Sequence, residues 1–224
     1  MADKYPDTVK SLLDGDEKKV LAKAQSILKS IIRPEMGEFD KELAIYDYLA
    51  TYGAYDYSSY ALHTGRPVVP EDPPANPEAY NVYGALVDAL AVCEGWSDAY
   101  QLLFTLVGLK SETPIGSLSG EPHKWVSVQV DGEWYQIEAT KKAEKGSSSL
   151  YSSTFNFTYQ DANDFLSYSG GDERAISQKY DYMNRMDRER NPDKSPFEFE
   201  EEEAAAAAER AKVATRQLTR KSTP

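Results

Sequence analysis

Val92-Cys93-Glu94-Gly95-Trp96-Ser97-Asp98-Ala99-Tyr100, continuing through Leu102, Leu103, Leu106 and Val107 to Gly108, is the stretch that decides how this chain folds. From Trp96 its apolar residues recur at 96, 99/100, 103 and 106/107, the spacing of a helix buried along one face. Gly108 stands where a helix C-terminal glycine is expected. The only cysteine of the 224-residue chain therefore falls in the first turn of a largely buried helix. Unsatisfied N–H groups and a partial positive charge at a helix start favour thiolate over thiol. A lone buried cysteine is by itself an ordinary small hydrophobe, so the reading depends on what accompanies it.

Thirty residues downstream, His123-Lys124-Trp125 leads into Val126-Ser127-Val128-Gln129-Val130, then Asp131-Gly132, then Glu133-Trp134-Tyr135-Gln136-Ile137-Glu138-Ala139-Thr140. Two alternating runs joined by Asp-Gly predict a hairpin with a two-residue turn. In that register Val130 faces Glu133 and Trp125 faces Glu138. His123 then shares Trp125's face and lies diagonal to Glu138. Val126, Val128, Val130, Tyr135 and Ile137 fall on the opposite, core-facing side. Cys93, His123 and Glu138 thus supply a nucleophile, a base and an orienting acid.

Tyr83-Gly84-Ala85-Leu86, Cys93-Glu94-Gly95-Trp96, His123-Lys124-Trp125 and Asp131-Gly132-Glu133-Trp134-Tyr135-Gln136-Ile137-Glu138-Ala139-Thr140 together resemble the transglutaminase-like superfamily, in particular its bacterial branch. The resemblance is sharpest over about residues 40–170. It implies an α+β, papain-like fold in which a helical half carrying Cys93 packs on an antiparallel sheet carrying His123 and Glu138. It also implies acyl transfer from a peptide-like amide, by a protease, an amidase or a transglutaminase, with a protein, peptide or cell-surface substrate. One position departs from the family pattern: its acid is usually aspartate, and Glu138 is one methylene longer. That departure leaves two consequences open. Either the hairpin stands further from the cysteine helix, or the triad is degenerate and the chain is a binding module.

Net charge is −12, which argues against nucleic acid and anionic membrane surfaces as partners. One cysteine excludes an internal disulfide, and with two histidines a zinc site is not expected. Nothing implies a cofactor. No stretch reaches the roughly 18–20 apolar residues of a membrane-spanning helix. Met1-Ala2-Asp3-Lys4 lacks the apolar core of a signal peptide, which suits a cytoplasmic protein or one whose signal has been removed; the family resemblance favours secretion or the cell surface. Oligomeric state is not legible.

Three segments are expected. Residues 1–34 form a helical part, with helix over 8–33 interrupted at Gly15 and ended by Pro34. Residues 35–191 form the transglutaminase-like domain. It opens with a helix from Asp40 to near Gly53, followed by a Tyr- and Pro-rich loop from Tyr52 to Tyr83. Tyr80, Asn81 and Tyr83 are the upstream candidates for an oxyanion donor beside the Cys93 N–H, whereas His63 reads as surface. Further on come one strand within 109–120, a flexible connection over 141–153, a strand over Phe155–Tyr159, a capped helix from Asp161, and a helix over 172–191. Residues 192–224, acid-rich then base-rich around an alanine run, read as a helical appendage.

Overall fold

The computed structural model describes residues 14–140, 152–164, 166 and 168–181. Expectations for the start of the first helix, for residues 141–151 and for everything beyond 181, the appendage included, lie outside the described residues.

Helix α1 (Gly15–Ile31) begins where the chain's first strong cap lies: Asp14 accepts from the N–H groups of Asp16 and Glu17, and Glu17 reaches back to the Asp14 N–H. Gly15 is therefore the first helical residue and not a break. Helix α2 (Glu38–Thr51) starts two residues before Asp40, because Asp40 serves as the third residue and accepts from the Gly37 N–H. Both helices pack on α5 (Cys93–Val107), whose Trp96, Ala99, Tyr100, Leu103 and Phe104 form the centre of the core.

The expected loop between α2 and the cysteine is more ordered than its composition suggests. It contains β1 (Ala54–Tyr55), α3 (Tyr57–Thr64), α4 (Val82–Leu86) and β2 (Leu90–Ala91), with β1 and β2 pairing in parallel just ahead of Cys93. Buried Asp56 organises the region, accepting from the Ser59 N–H and hydroxyl and from the Asn76 N–H. Asn76 in turn donates to the Leu90 carbonyl and to Asp88, so the proline-rich segment is laced to the strand that precedes Cys93.

The hairpin forms in the expected register: β6 (Val126–Val130) pairs with β7 (Glu133–Ile137), Val130 opposite Glu133 and Val126 opposite Ile137. Its core face is fully buried as read. What differs is the connection to His123. Instead of extending β6, residues Glu121–Lys124 form β5, which pairs with β4 (Ile115–Leu118), and β4 pairs with β8 (Tyr168–Ser169). Strand β3 (Lys110–Glu112) completes the sheet β3-β6-β7, so residues 109–120 supply two strands and the expected single sheet is two three-stranded ones. The chain breaks between them at Trp125, which is fully buried and donates its indole N–H to Gln136 on β7.

Two further expectations are corrected. Phe155–Thr158 makes only one bridge, Phe157 with Gln136, because Asn156 takes a positive φ of 56° and both faces are buried. Over residues 172–181 no helix forms. Asp172 is instead drawn inward to Ser127 and Arg174, and Ile176 is left 72% exposed to solvent. The short helix near Asp161 is present as α6 (Tyr159–Asp164), starting earlier because Thr158 and Asp161 bond reciprocally as its cap.

Candidate active site

The first turn of α5 is built for close approach. A Cβ on Gly95 would sit 2.7 Å from the carbonyl oxygens of both Ala79 and Asn81, so only glycine lets the helix start nestle against that segment. Gly84 has the same role in α4, where a Cβ would meet the Glu78 carbonyl at 2.1 Å. The glycines of Cys-Glu-Gly-Trp and Tyr-Gly-Ala-Leu thus hold one interface. Val92, the N-cap, offers no capping side chain, and Cys93 sits half-buried at the uncapped start.

Helix α5 also fixes the strand that carries the histidine. Ser97, one turn after Cys93, donates to the Lys124 carbonyl at 3.1 Å, and the Lys124 ammonium meets Asp98 at 2.6 Å. These two contacts set the distance between the cysteine helix and β5. Neither was singled out in the sequence, although Ser97-Asp98 and Lys124 flank the two functional positions.

His123 joins its two neighbours. Its Nε2 lies 2.8 Å from Glu138 Oε2, with side-chain exposures of only 9% and 6%. Cys93 also acts on the imidazole from nearby and favours its charged form. Burial alone would lower the imidazolium pKa. The Cys93 and Glu138 interactions outweigh it and raise the group to about 9. Glu138 sits just past β7, with its N–H bonded to the Thr154 carbonyl at 2.9 Å. Burial would raise its carboxyl pKa, but hydrogen bonds and charge from His123, then Thr140 and Tyr168, hold it below the ordinary carboxylate value. All three residues expected from the sequence are therefore brought together, with the histidine arriving from a second sheet.

The oxyanion candidates named from the sequence are otherwise engaged. Asn81 caps α4, accepting from Tyr83 and Gly84 and donating to Glu78. The Tyr80 hydroxyl donates to the Ser59 carbonyl, and that of Tyr83 accepts from Lys19. Tyr55, on β1, stands beside Cys93: burial drives its phenol well up, the Cys93 charge adds to this, and the Cys93 backbone N–H pulls the other way. His63 ends α3 at the surface, its ring 5.5 Å from Tyr80.

Two hollows flank the triad, of about 660 Å³ along Glu138 and Tyr168 and about 550 Å³ along His123, Tyr60 and Val69. They share Tyr55, Tyr57, Leu118 and Thr140. Among the described residues no three His, Cys, Asp or Glu side chains gather to hold a metal ion, and no helix is long and apolar enough to cross a membrane.

A helix that starts at Cys93, packed on sheets that carry His123 and Glu138, gives an α+β, papain-like fold. Residues 25–139, just over half of the chain, match the Transglutaminase-like superfamily, and the chain belongs to that family. No curated protein matches the chain. Among solved structures it is similar to one described as a TGase, with 18% identity and a TM-score of 0.46 over 66% of this chain and 41% of that one. It is also similar to a "putative cysteine protease" from Cytophaga hutchinsonii, with 14% identity and a TM-score of 0.40 over 75% of this chain and 52% of that one. The chain thus spans about half the length of these two proteins or less.

Proposed function

We propose that this chain carries out cysteine-dependent acyl transfer on a peptide-like amide, with Cys93 as nucleophile, His123 as acid and base, and Glu138 as the orienting group. What supports this reading is that the buried His123 Nε2 meets Glu138 at 2.8 Å while Cys93 lies near enough to favour the charged imidazole. The Cys93 sulfur attacks the amide carbonyl as the thiolate, its proton already held on the His123 imidazolium. Charge develops on the carbonyl oxygen, where the Cys93 N–H at the helix start and the Tyr55 hydroxyl beside it serve as donors. The imidazolium then protonates the departing amine, the C–N bond breaks, and a thioester remains. Water or a second amine attacks that thioester, His123 takes the attacking group's proton, and the thiol is released.

Hydrolysis is the default reading for the second half, on a protein, peptide or cell-surface polymer. Transamidation shares every step up to the thioester, and the chain then joins donor to acceptor. The test is incubation with a peptide library bearing glutamine and backbone amides, with and without a primary amine, read by mass spectrometry. Ammonia or peptide release that disappears in Cys93→Ala supports the reading, and amine incorporation marks the transamidating form. Turnover retained in Cys93→Ala, or failure of Cys93 to react with iodoacetamide anywhere between about pH 5 and about pH 9, would rule it out.

A further inference from the structure

Glutamate reaches further than aspartate but has one more rotatable bond, so its carboxylate is not fixed by the backbone alone. Here both oxygens are held. Thr140 binds Oε1 twice, through its N–H at 2.7 Å and its hydroxyl at 2.6 Å. Oε2 receives His123 and also the hydroxyl of Tyr168, a residue thirty positions further along the chain.

Tyr168 is itself tightly placed. It lies on β8, where Leu118 pairs with Tyr168 and Ser117 with Ser169, and β4 on its other edge pairs Gly116 with His123. The approach at Gly116 is so close that a Cβ there would sit 2.1 Å from the Ser169 carbonyl. The Tyr168 ring meets Trp125 edge-on at 5.0 Å and lies 5.0 Å from Phe157. Burial, then the Glu138 charge, pushes the phenol far up, so it stays protonated and donates. Core filling accounts for the ring but not for the hydroxyl, which ends on the one oxygen that the histidine uses.

We infer that Tyr168 is a positioning residue for the reaction. Its hydroxyl pins Oε2 so that Glu138, held at its other oxygen by Thr140, presents a fixed acceptor to His123. This rests on the acyl-transfer reading for its consequence in catalysis, but its geometry can be tested without any substrate.

The test is Tyr168→Phe, which keeps the ring and its packing and removes one oxygen. The His123 imidazole is titrated by nitrogen-detected NMR, with His63 as an internal reference, and Cys93 alkylation by iodoacetamide is followed alongside. If Tyr168 positions Glu138, the His123 midpoint falls by half a pH unit or more toward the ordinary histidine value of 6.5 while His63 is unmoved. Alkylation at neutral pH slows by about fivefold, the equivalent of one ordinary hydrogen bond. Both effects vanish when Tyr168→Phe is made in a Glu138→Gln background, since the hydroxyl then has no carboxylate to hold. An unchanged midpoint in the folded variant overturns the inference, as does an effect of equal size in both backgrounds. A rise in the midpoint overturns it too, because Tyr168 would then merely compete with the imidazole for Oε2. An inert Cys93 in the parent protein, with the midpoint still falling in the variant, would sink acyl transfer and leave the positioning role standing.

Discussion

Glu138→Asp restores the acid usual in the family and should nevertheless damage this site. The change withdraws the carboxylate by about one carbon–carbon bond, roughly 1.5 Å. Glu138 Oε2 now lies 2.8 Å from His123 Nε2, so without movement of β7 the separation grows to about 4 Å, beyond hydrogen-bonding range. The contacts to Tyr168 and to the Thr140 hydroxyl stretch in the same way. A hydrogen bond to a charged group contributes about 1.5–3 kcal/mol, so loss of the histidine contact alone corresponds to roughly a 10- to 100-fold fall in any rate that depends on it. The sheet has little freedom to compensate, because the Glu138 N–H is tied to Thr154 and Ile137 is fixed opposite Val126.

The assay is the rate of Cys93 alkylation by a neutral reagent from about pH 5 to about pH 9, with unfolding followed in parallel. The parent protein should retain a protonated His123 up to about 9. In the aspartate form the histidine loses a partner that raises its pKa, so the profile should break at lower pH and alkylation at neutral pH should slow. A faster reaction would mean that Glu138 is a degraded aspartate. Coincident profiles would mean that residue 138 does not act on the histidine, and either result refutes the reasoning.

His123 should make stability depend on pH in the alkaline range: its raised pKa gives a contribution fully present below 6.5 and lost as pH rises through about 9. Denaturation of the parent and of His123→Gln should therefore differ in pH slope between these values, by up to about 3 kcal/mol in all, and parallel curves would refute it. Gly95→Ala forces a Cβ to within 2.7 Å of two carbonyl oxygens and should cost about 1–3 kcal/mol in chemical denaturation; a neutral result would show that α5 can shift. Ser97→Ala leaves the Lys124 carbonyl without that donor and should cost about 1 kcal/mol. It should also alter the alkylation profile of Cys93, and a stability loss with an unchanged profile would mean that Ser97 does not set the Cys93–His123 geometry.

The features legible in the sequence were those governed by local rules. Helical spacing gave α5 and its core face, and the Asp131-Gly132 turn with alternating neighbours gave the register of β6 and β7. Capping signals that went unused would have located more: Asp56 with Ser59 marks the start of α3, and Thr158 with Asp161 marks α6. The remaining features depend on distant partners. Tyr168 lies on a two-residue strand that exists only because β4 is beside it, and no local periodicity distinguishes such a segment. The helical pattern after Asp172 failed for the same reason, since the buried contacts of Asp172 with Ser127 and Arg174 override the spacing of Ile176 and Tyr180.

The break at Trp125 connects the fold to the identity of the acid. Read as one continuous strand, residues 123–130 would place His123 and Glu138 as diagonal neighbours on a single sheet. In the folded chain the histidine is carried by β5 and the acid follows β7, on different sheets joined through Trp125 and its bond to Gln136. The gap between those sheets is set by the indole and by the clamp from Ser97 and Asp98 to Lys124, not by strand pairing. A carboxylate leaving the end of β7 must cross that gap and still bond Thr140 two residues on, which draws it back toward its own backbone. Glutamate satisfies both demands with contacts of 2.8 Å and 2.7 Å. The extra methylene thus lets one carboxylate reach the histidine on the other sheet while it stays bonded to Thr140.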